Sequence, residues 1–431
     1  MRQPNILVML ADDLGYGDLG CYGAGDIRTP HLDRLAAEGA RFTRWYGGSP
    51  VCSASRAALL TGRYCQRVGV PGNVPADRSA TGLSRDAPTL AERLRDAGYR
   101  CLMSGKWHLG QQPGERPHQR GFHDWFGFLH GCIDYYSHVF YWLMAGSGRA
   151  PRHDLWHNAT ELFEEGRYAT DLIADRAVSY LDQAAAGDQP FFLYVPCNAP
   201  HYPLHGPPEL FEPYAELDEP RRLIAGMVSS LDAAVGRVVG RLDDLGLTDN
   251  TVVFFSSDHG PSREPRNWPD GRDEPFPGGS TGGLRGHKFE LFEGGVRLPA
   301  IMRWPGGVEP GRVVDSPLAH MDLAPTLLAA AGGHPAAAGF DGVDLAPVLR
   351  GDAEPPDRDL YWAHGRQRAV RRGRWKLVLR DGQDPHLSDL DADPAESTNL
   401  ADPQRDRVAA LTAAIDDWVQ RGHTARADGT G

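Results

Sequence analysis

The sequence predicts an α/β protein: a large domain whose mixed, mostly parallel central sheet is sandwiched by helices, then a smaller C-terminal α+β domain with a short antiparallel sheet. Three observations predict it. Short apolar runs that stop at polar residues alternate with helical patterns along most of the chain. Those runs are apolar at consecutive positions, as strands covered on both faces require. Beyond about residue 345 the pattern changes to closely spaced short strands and one amphipathic helix.

In chain order, Ile6–Ala11 reads as a buried first strand that ends at Asp12-Asp13. Pro30–Glu38 is helical, and the Ala/Leu-rich stretch after Cys52 suggests a second helix opening near that cysteine. A helix over Thr89–Ala97 precedes a strand over Arg100–Ser104, which leads into Gly105-Lys106-Trp107-His108. A helix over Thr170–Ala184 precedes a strand over Phe191–Val195, which leads to Pro200-His201. A long helix over Arg221–Leu245 precedes Thr251–Phe255, which ends at Ser256-Ser257-Asp258-His259. Ser262–Gly283, rich in Pro, Gly and charge, reads as a surface loop, and Gly332–Gly342 as a connector. Leu360–His364, Gln367–Arg371 and Trp375–Arg380 read as short strands, with a tight turn at Arg372-Gly373-Arg374, and Val408–Gln420 as an amphipathic helix. The expected domains are residues 1–345 and 346–431. In open α/β sheets ligands bind beyond the carboxyl ends of the strands, so the site is expected where the four polar strand ends meet.

The net charge of −12 argues against a nucleic-acid or anionic-membrane partner, although a local cluster of cations can still receive an anion. The six cysteines are dispersed with no C-x-x-C pair, which argues against a structural zinc site and a dense disulfide framework. The apolar run at Asn5–Leu10 is too short for a signal peptide, and no stretch suggests a membrane span, so a cytoplasmic location is expected.

Several short patterns carry chemistry. Cys52 stands where a helix opens, at the positive end of its dipole, and Arg56 four residues on shares its face. Asp12, Asp13 and Asp258 make an oxygen-rich site suited to Ca²⁺ or Mg²⁺. Lys106 and His108 are two apart and on an extended strand would share one face. Taken singly, each has a plainer reading: a buried apolar cysteine, a solvated turn, an exposed strand edge.

Together these blocks resemble the sulfatase family. Cys52-Ser53-Ala54-Ser55-Arg56 followed by Leu59-Leu60-Thr61-Gly62-Arg63 is similar to its signature, with Ala54 where the commonest form has Pro. Ala11–Asp18, Gly105–Gly110, Arg285–Lys288 with Glu293–Pro299, and Asp389–Leu400 resemble further blocks, in the family's order, over nearly the whole chain. The resemblance implies that Cys52 is oxidised to formylglycine by a formylglycine-generating or radical maturation enzyme. It implies a cation, Ca²⁺ or alternatively Mg²⁺ or Mn²⁺, held by Asp12, Asp13, Asp258, His259 and the residue at Cys52. It places Lys106, Lys288 and Arg56 on the sulfate, His108 on a hydroxyl of the hydrated aldehyde, and His201 near the leaving-group oxygen. The expected activity is hydrolysis of aryl or carbohydrate sulfate esters with release of sulfate. The alternatives are a phosphonate or phosphate ester hydrolase of the same superfamily, the alkaline phosphatase superfamily, or an anion-binding relative without turnover. Phe126–Phe128 and Ile133–His138 either line the substrate pocket or pack in the core, and the Arg366–Lys376 basic run either greets a second anion or is a solvated hairpin face.

Overall fold

The computed structural model describes residues 3–77, 79–141, 151–264, 267 and 277–422. Much of the expected loop within Ser262–Gly283 therefore lies outside the described residues.

The first half of the chain forms β1 (Asn5–Ala11), α1 (Pro30–Ala37), β2 (Ala40–Tyr46), α2 (Cys52–Thr61), α3 (Leu90–Asp96), β3 (Arg100–Lys106) and β4 (Asp124–Phe128). Short strands β5 (Val139–Phe140), β6 (Arg152–His153), β7 (Trp156–His157) and β8 (Thr160–Glu161) follow, then α4 (Ala169–Ala185), β9 (Phe191–Pro196), α5 (Glu219–Asp244) and β10 (Thr251–Ser257). Next come α6 (Glu293–Val296), β11 (Arg297–Arg303), β12 (Arg312–Val314), β13 (Leu318–Ala319), α7 (Leu323–Ala330) and α8 (Ala346–Arg350). The chain ends with β14 (Leu360–His364), β15 (Gln367–Arg372), β16 (Trp375–Arg380), β17 (His386–Asp389) and α9 (Arg405–Gln420).

The large sheet runs β12-β2-β11-β10-β1-β9-β3-β4-β7-β8, with β13 beside β2. Its centre, β10-β1-β9-β3-β4, is parallel, and β11 and β7 join it antiparallel. β1 explains why this centre is stable. Leu7 and Met9 face a core shared with α1, α4 and α5, while Ile6, Val8 and Leu10 face a second core shared with α2, α3 and α7. Both faces of the strand are buried, so its unbroken apolar run is what the two layers need. A second sheet, β14-β15-β16-β17, is antiparallel throughout, with α9 packed on it.

One expectation changes and one open choice is decided. α5 is long and apolar enough to cross a membrane by length and composition, although no such stretch was evident from the sequence. Its apolar residues, among them Ile224, Met227, Val228 and Leu231, are buried in the core beside α4, which accounts for the composition. Phe126, Phe128, Ile133 and Tyr135 belong to the same core, so packing explains that aromatic run.

Candidate active site

The parallel centre delivers four carboxyl ends to one place. Asp12 and Asp13 follow β1, Asp258 and His259 follow β10, Lys106 closes β3, and the turn after β9 carries His201. Backbone hydrogen bonds stitch these ends: Asp12 N–H donates to Ala199 O at 3.2 Å, and Asp258 N–H to Ala11 O at 3.1 Å. Asp13, at φ 67, donates its N–H to Asp258 Oδ1 at 3.3 Å. α2 then brings Cys52, its first residue, against this turn, with every residue of the helix buried.

Cations and carboxylates interlock around Cys52. Lys106 Nζ lies 2.5 Å from Asp12 Oδ2, and Lys288 Nζ 2.8 Å from Asp13 Oδ1. Arg56 reaches Asp258 Oδ2 through Nη2 at 2.9 Å and Nε at 3.1 Å, and its Nη1 donates to Lys106 O at 3.2 Å. All of these side chains are buried, where an unpaired charge would be costly, so the pairing is a condition of folding. Burial lifts the Asp12 carboxyl above its usual range, against Lys106. Burial acts the same way on Asp258, but His259 and Arg56 outweigh it and hold that carboxyl low. Burial opposes ionisation of the Cys52 thiol, yet Lys106, Lys288 and His259 hold it well below its ordinary value.

The donor set fits a divalent cation. Asp12, Cys52, Asp258 and His259 bring one ligand atom each within 4.8 Å of one another, and Asp12, Asp13, Cys52 and His201 form an overlapping set. Asp13 Oδ2 is buried without a hydrogen-bond partner. His259 is 2.9 Å from Gly260 O through Nδ1, which leaves Nε2 facing Cys52 Sγ at 3.1 Å and Asp13 Oδ1 at 3.4 Å. A proton on Nδ1 and a free Nε2 is the arrangement in which a metal-binding histidine is held. Carboxylate oxygens with one imidazole suit a hard or borderline ion.

Two further histidines approach the cluster, one beyond β3 and one after β9. β3 stops at Lys106, and His108 sits beyond it at φ 53, so the two residues do not share an extended strand. Trp107 turns into the core while His108 Nε2 lies 3.2 Å from Val74 O, leaving its buried Nδ1 without a partner. Burial pushes His108 down to about 4, against the pull of Cys52. His201 donates from Nδ1 to Tyr202 O at 2.6 Å and directs Nε2 at Lys288 Nζ, 3.3 Å away, and Asp13 Oδ2, 3.6 Å away. Burial would lower its pKa, but Asp13 raises it above the usual value.

All ten residues singled out in the sequence therefore meet in one buried cluster. The basic run does not join it: Arg371 and Lys376 are buried on Tyr46 and Glu293, while Arg372 pairs with Asp359 and Arg374 with Asp389. Three supporting residues have no role of their own in the sequence reading, although Tyr135 lies within its Ile133–His138 segment. Ser55 donates to Asp258 O at 2.5 Å and stands 3.1 Å from His320 Nδ1, and the Tyr135 hydroxyl bonds His201 O at 2.9 Å and Asn198 O at 3.1 Å. Ser55 sits inside the Cys52 block and was open to notice, but His320 and Tyr135 reach the site only through tertiary packing.

A covered α/β sheet with buried lysines, histidines and a candidate cation site at its strand ends is suited to receive an oxyanion ester. The comparisons make it specific. The family model described as Sulfatase matches residues 4–333, and one described as N-sulphoglucosamine sulphohydrolase, C-terminal, matches residues 286–420. The chain belongs to the sulfatase family, and it is a sulfuric ester hydrolase. It is similar to human arylsulfatase A, 37% identical over 425 residues, covering 91% of this chain and 78% of that protein. It is 35% identical over 380 residues to dog N-acetylgalactosamine-6-sulfatase, covering 84% of this chain and 69% of that one. The crystal structure of Ps i-CgsB in complex with k-i-k-neocarrahexaose superposes with a TM-score of 0.87 at 31% identity, covering 97% of this chain and 93% of that chain.

Proposed function

We propose that this chain hydrolyses sulfate monoesters of sugars, with Cys52 oxidised to formylglycine by a maturation enzyme. The observation that carries the reading is the enclosure of Cys52 by Lys106, Lys288 and Arg56 interlocked with the Asp12, Asp13, Asp258 and His259 set. The sugar part is supported by two similar proteins, one called an N-acetylgalactosamine-6-sulfatase and one crystallised with a neocarrahexaose.

Each side chain then has a task. Lys106 and Lys288 offset the charge of the bound sulfate in a site without bulk water. Arg56 fixes Asp258, and so the shape of the cation site, through its two contacts. His108, neutral and with Nδ1 free, accepts a proton beside residue 52. His201, whose protonated form Asp13 favours, gives a proton from Nε2 to the departing alkoxide. Formylglycine, once formed and hydrated, supplies a hydroxyl nucleophile with a second hydroxyl to help release sulfate. A calcium ion, or magnesium or manganese in its place, held by Asp12, Asp13, Asp258, His259 and residue 52, supplies Lewis acidity toward the sulfate oxygens.

The test is the mass of the tryptic peptide Trp45–Arg56 from protein made in its native host, read beside sulfate release from a sugar sulfate. An aldehyde in place of the Cys52 thiol, with sulfate released, is expected. An intact thiol together with no release of sulfate would sink the proposal.

A further inference from the structure

Phe289 follows Lys288 at φ 73, a backbone conformation that bulky residues adopt only when their surroundings impose it. Here they do. Phe289 N–H donates to Pro50 O at 3.0 Å, two residues before Cys52, and Phe289 O accepts from Gln367 Nε2 at 2.8 Å. Leu291 N–H donates back to Gln367 Oε1 at 3.4 Å. The ring so held is not buried: Phe289 is 42% exposed, while its centroid lies 5.8 Å from the buried Lys288 Nζ. An isolated exposed Phe is ordinary. One pinned on both sides in a costly conformation, beside a lysine that reaches into the active site, gains nothing from the core.

His364, the last residue of β14, stands beside it with ring centroids 6.0 Å apart and planes tilted by 35°. Its Nδ1 is enclosed and has no hydrogen-bond partner. Burial lowers its pKa and so favours the neutral imidazole, which can donate or accept a hydrogen bond. β14 is itself anchored near Cys52: Ala363 O accepts from Gln66 Nε2 at 3.0 Å, and Trp362 Nε1–H donates to Gly47 O at 2.8 Å.

We propose that Phe289 and His364 form the wall that receives the alcohol half of the ester, the aromatic ring stacking on a pyranose face and the imidazole hydrogen-bonding a sugar hydroxyl. This rests on the sulfate-ester reading above and adds where specificity for the sugar is set. An aromatic ring against the apolar face of a sugar, with one directional polar group beside it, is how a small polar ligand is oriented in a mostly apolar wall.

The experiment uses the calcium-loaded Cys52→Ala protein, in which an ester binds without turning over. Calorimetry gives Kd for N-acetylgalactosamine 6-sulfate and for inorganic sulfate. Phe289→Ala is expected to weaken the sugar ester about tenfold and inorganic sulfate less than about twofold, with Phe289→Tyr restoring the parent value. His364→Ala is expected to weaken only the sugar ester, by about threefold to tenfold. Phe289→Gly, which relieves the positive φ, is expected to behave like Phe289→Ala, so a folding defect cannot account for the loss. Unchanged sugar binding in both Phe289 variants would overturn the proposal. So would equal losses for sugar ester and sulfate, or no binding of the sugar ester by the parent. Turnover by the unmutated protein is measured apart: selective binding in a protein that releases no sulfate would remove the hydrolysis reading and leave the wall standing.

Discussion

His108 and His201 flank Cys52 and are tuned in opposite directions. Burial without a compensating carboxylate leaves His108 neutral with Nδ1 free, whereas Asp13 overcomes burial at His201 and favours its protonated form. Two titratable groups pushed apart in this way make an acid and a base in one site. The acid matters most when the leaving alcohol is a poor leaving group. His201→Asn is therefore expected to lower kcat by about 10²-fold to 10⁴-fold on a sugar sulfate, and by less than about tenfold on 4-nitrophenyl sulfate, whose phenolate departs without a proton. Equal losses on the two esters would assign the proton to another group, Lys288 first. Neither tuning is legible in the sequence, because burial at His108 and the Asp13 carboxylate beside His201 set them, and both arise only when distant parts of the chain pack together. Both follow strands that point to the site, but only the resemblance gave them roles among the chain's 17 histidines.

β3 shows how an element delivers a side chain. Gly105, one residue before Lys106, has φ 133, and a Cβ there would meet Pro196 O of β9 at 2.0 Å. On the other side Gly127, its register partner in β4, has φ 140 and would set a Cβ 1.9 Å from Gly105 O. Two glycines thus let three strands close tightly just where Lys106 must reach Asp12. Gly105→Ala is expected to cost about 2 kcal/mol or more of stability, through strain and overpacking, and to cut activity at least tenfold in the protein that still folds. Thermal unfolding and steady-state rates check it, and near-parent values for both would refute the argument. The strands read in the sequence, β1, β3, β9 and β10, end within a residue or two of where they were expected, as with Phe191–Val195 read and Phe191–Pro196 found, whereas β2, β4 and β11 of the same sheet were not read. The order of strands was not, since β9 lies between β1 and β3 although it is far away in the chain. Periodicity reports burial and says nothing about which strand is the neighbour.

At the scale of the molecule, the two sheets meet over a buried ionic cluster. Lys376 of β16 lies 2.8 Å from Glu293 of α6 and 3.4 Å from Glu396, whose Oε2 accepts from Glu293 N–H at 2.5 Å. Tyr46 of β2 donates to Glu293 at 2.7 Å and is met by Arg371 of β15. In the sequence this basic run offered either an anion site or a solvated face, because a charged residue's burial depends on a partner that local pattern does not reveal. The cluster also sets a pH response. Burial raises the Glu396 carboxyl above its usual value, with Glu293 adding to the rise and Lys376 opposing it. Burial likewise opposes ionisation of Glu293, but Lys376 and its arginine neighbours hold that carboxyl low. A raised carboxyl contributes stability that is whole below its unfolded pKa and is lost as pH climbs through the folded one. The lowered Glu293 works the other way, its contribution fading only as pH falls below the usual carboxylate range. Above pH 5, then, Glu396 is the member that drains stability as pH rises. Glu396→Gln keeps an acceptor for Glu293 N–H and removes the proton that is lost. The difference in Tm between variant and parent is expected to shift in the variant's favour by about 2 °C from pH 5 to pH 8. A difference that stays constant across that range would mean that Glu396 is already ionised at pH 5 in the folded protein as well, and that it adds no pH dependence to the junction between the sheets.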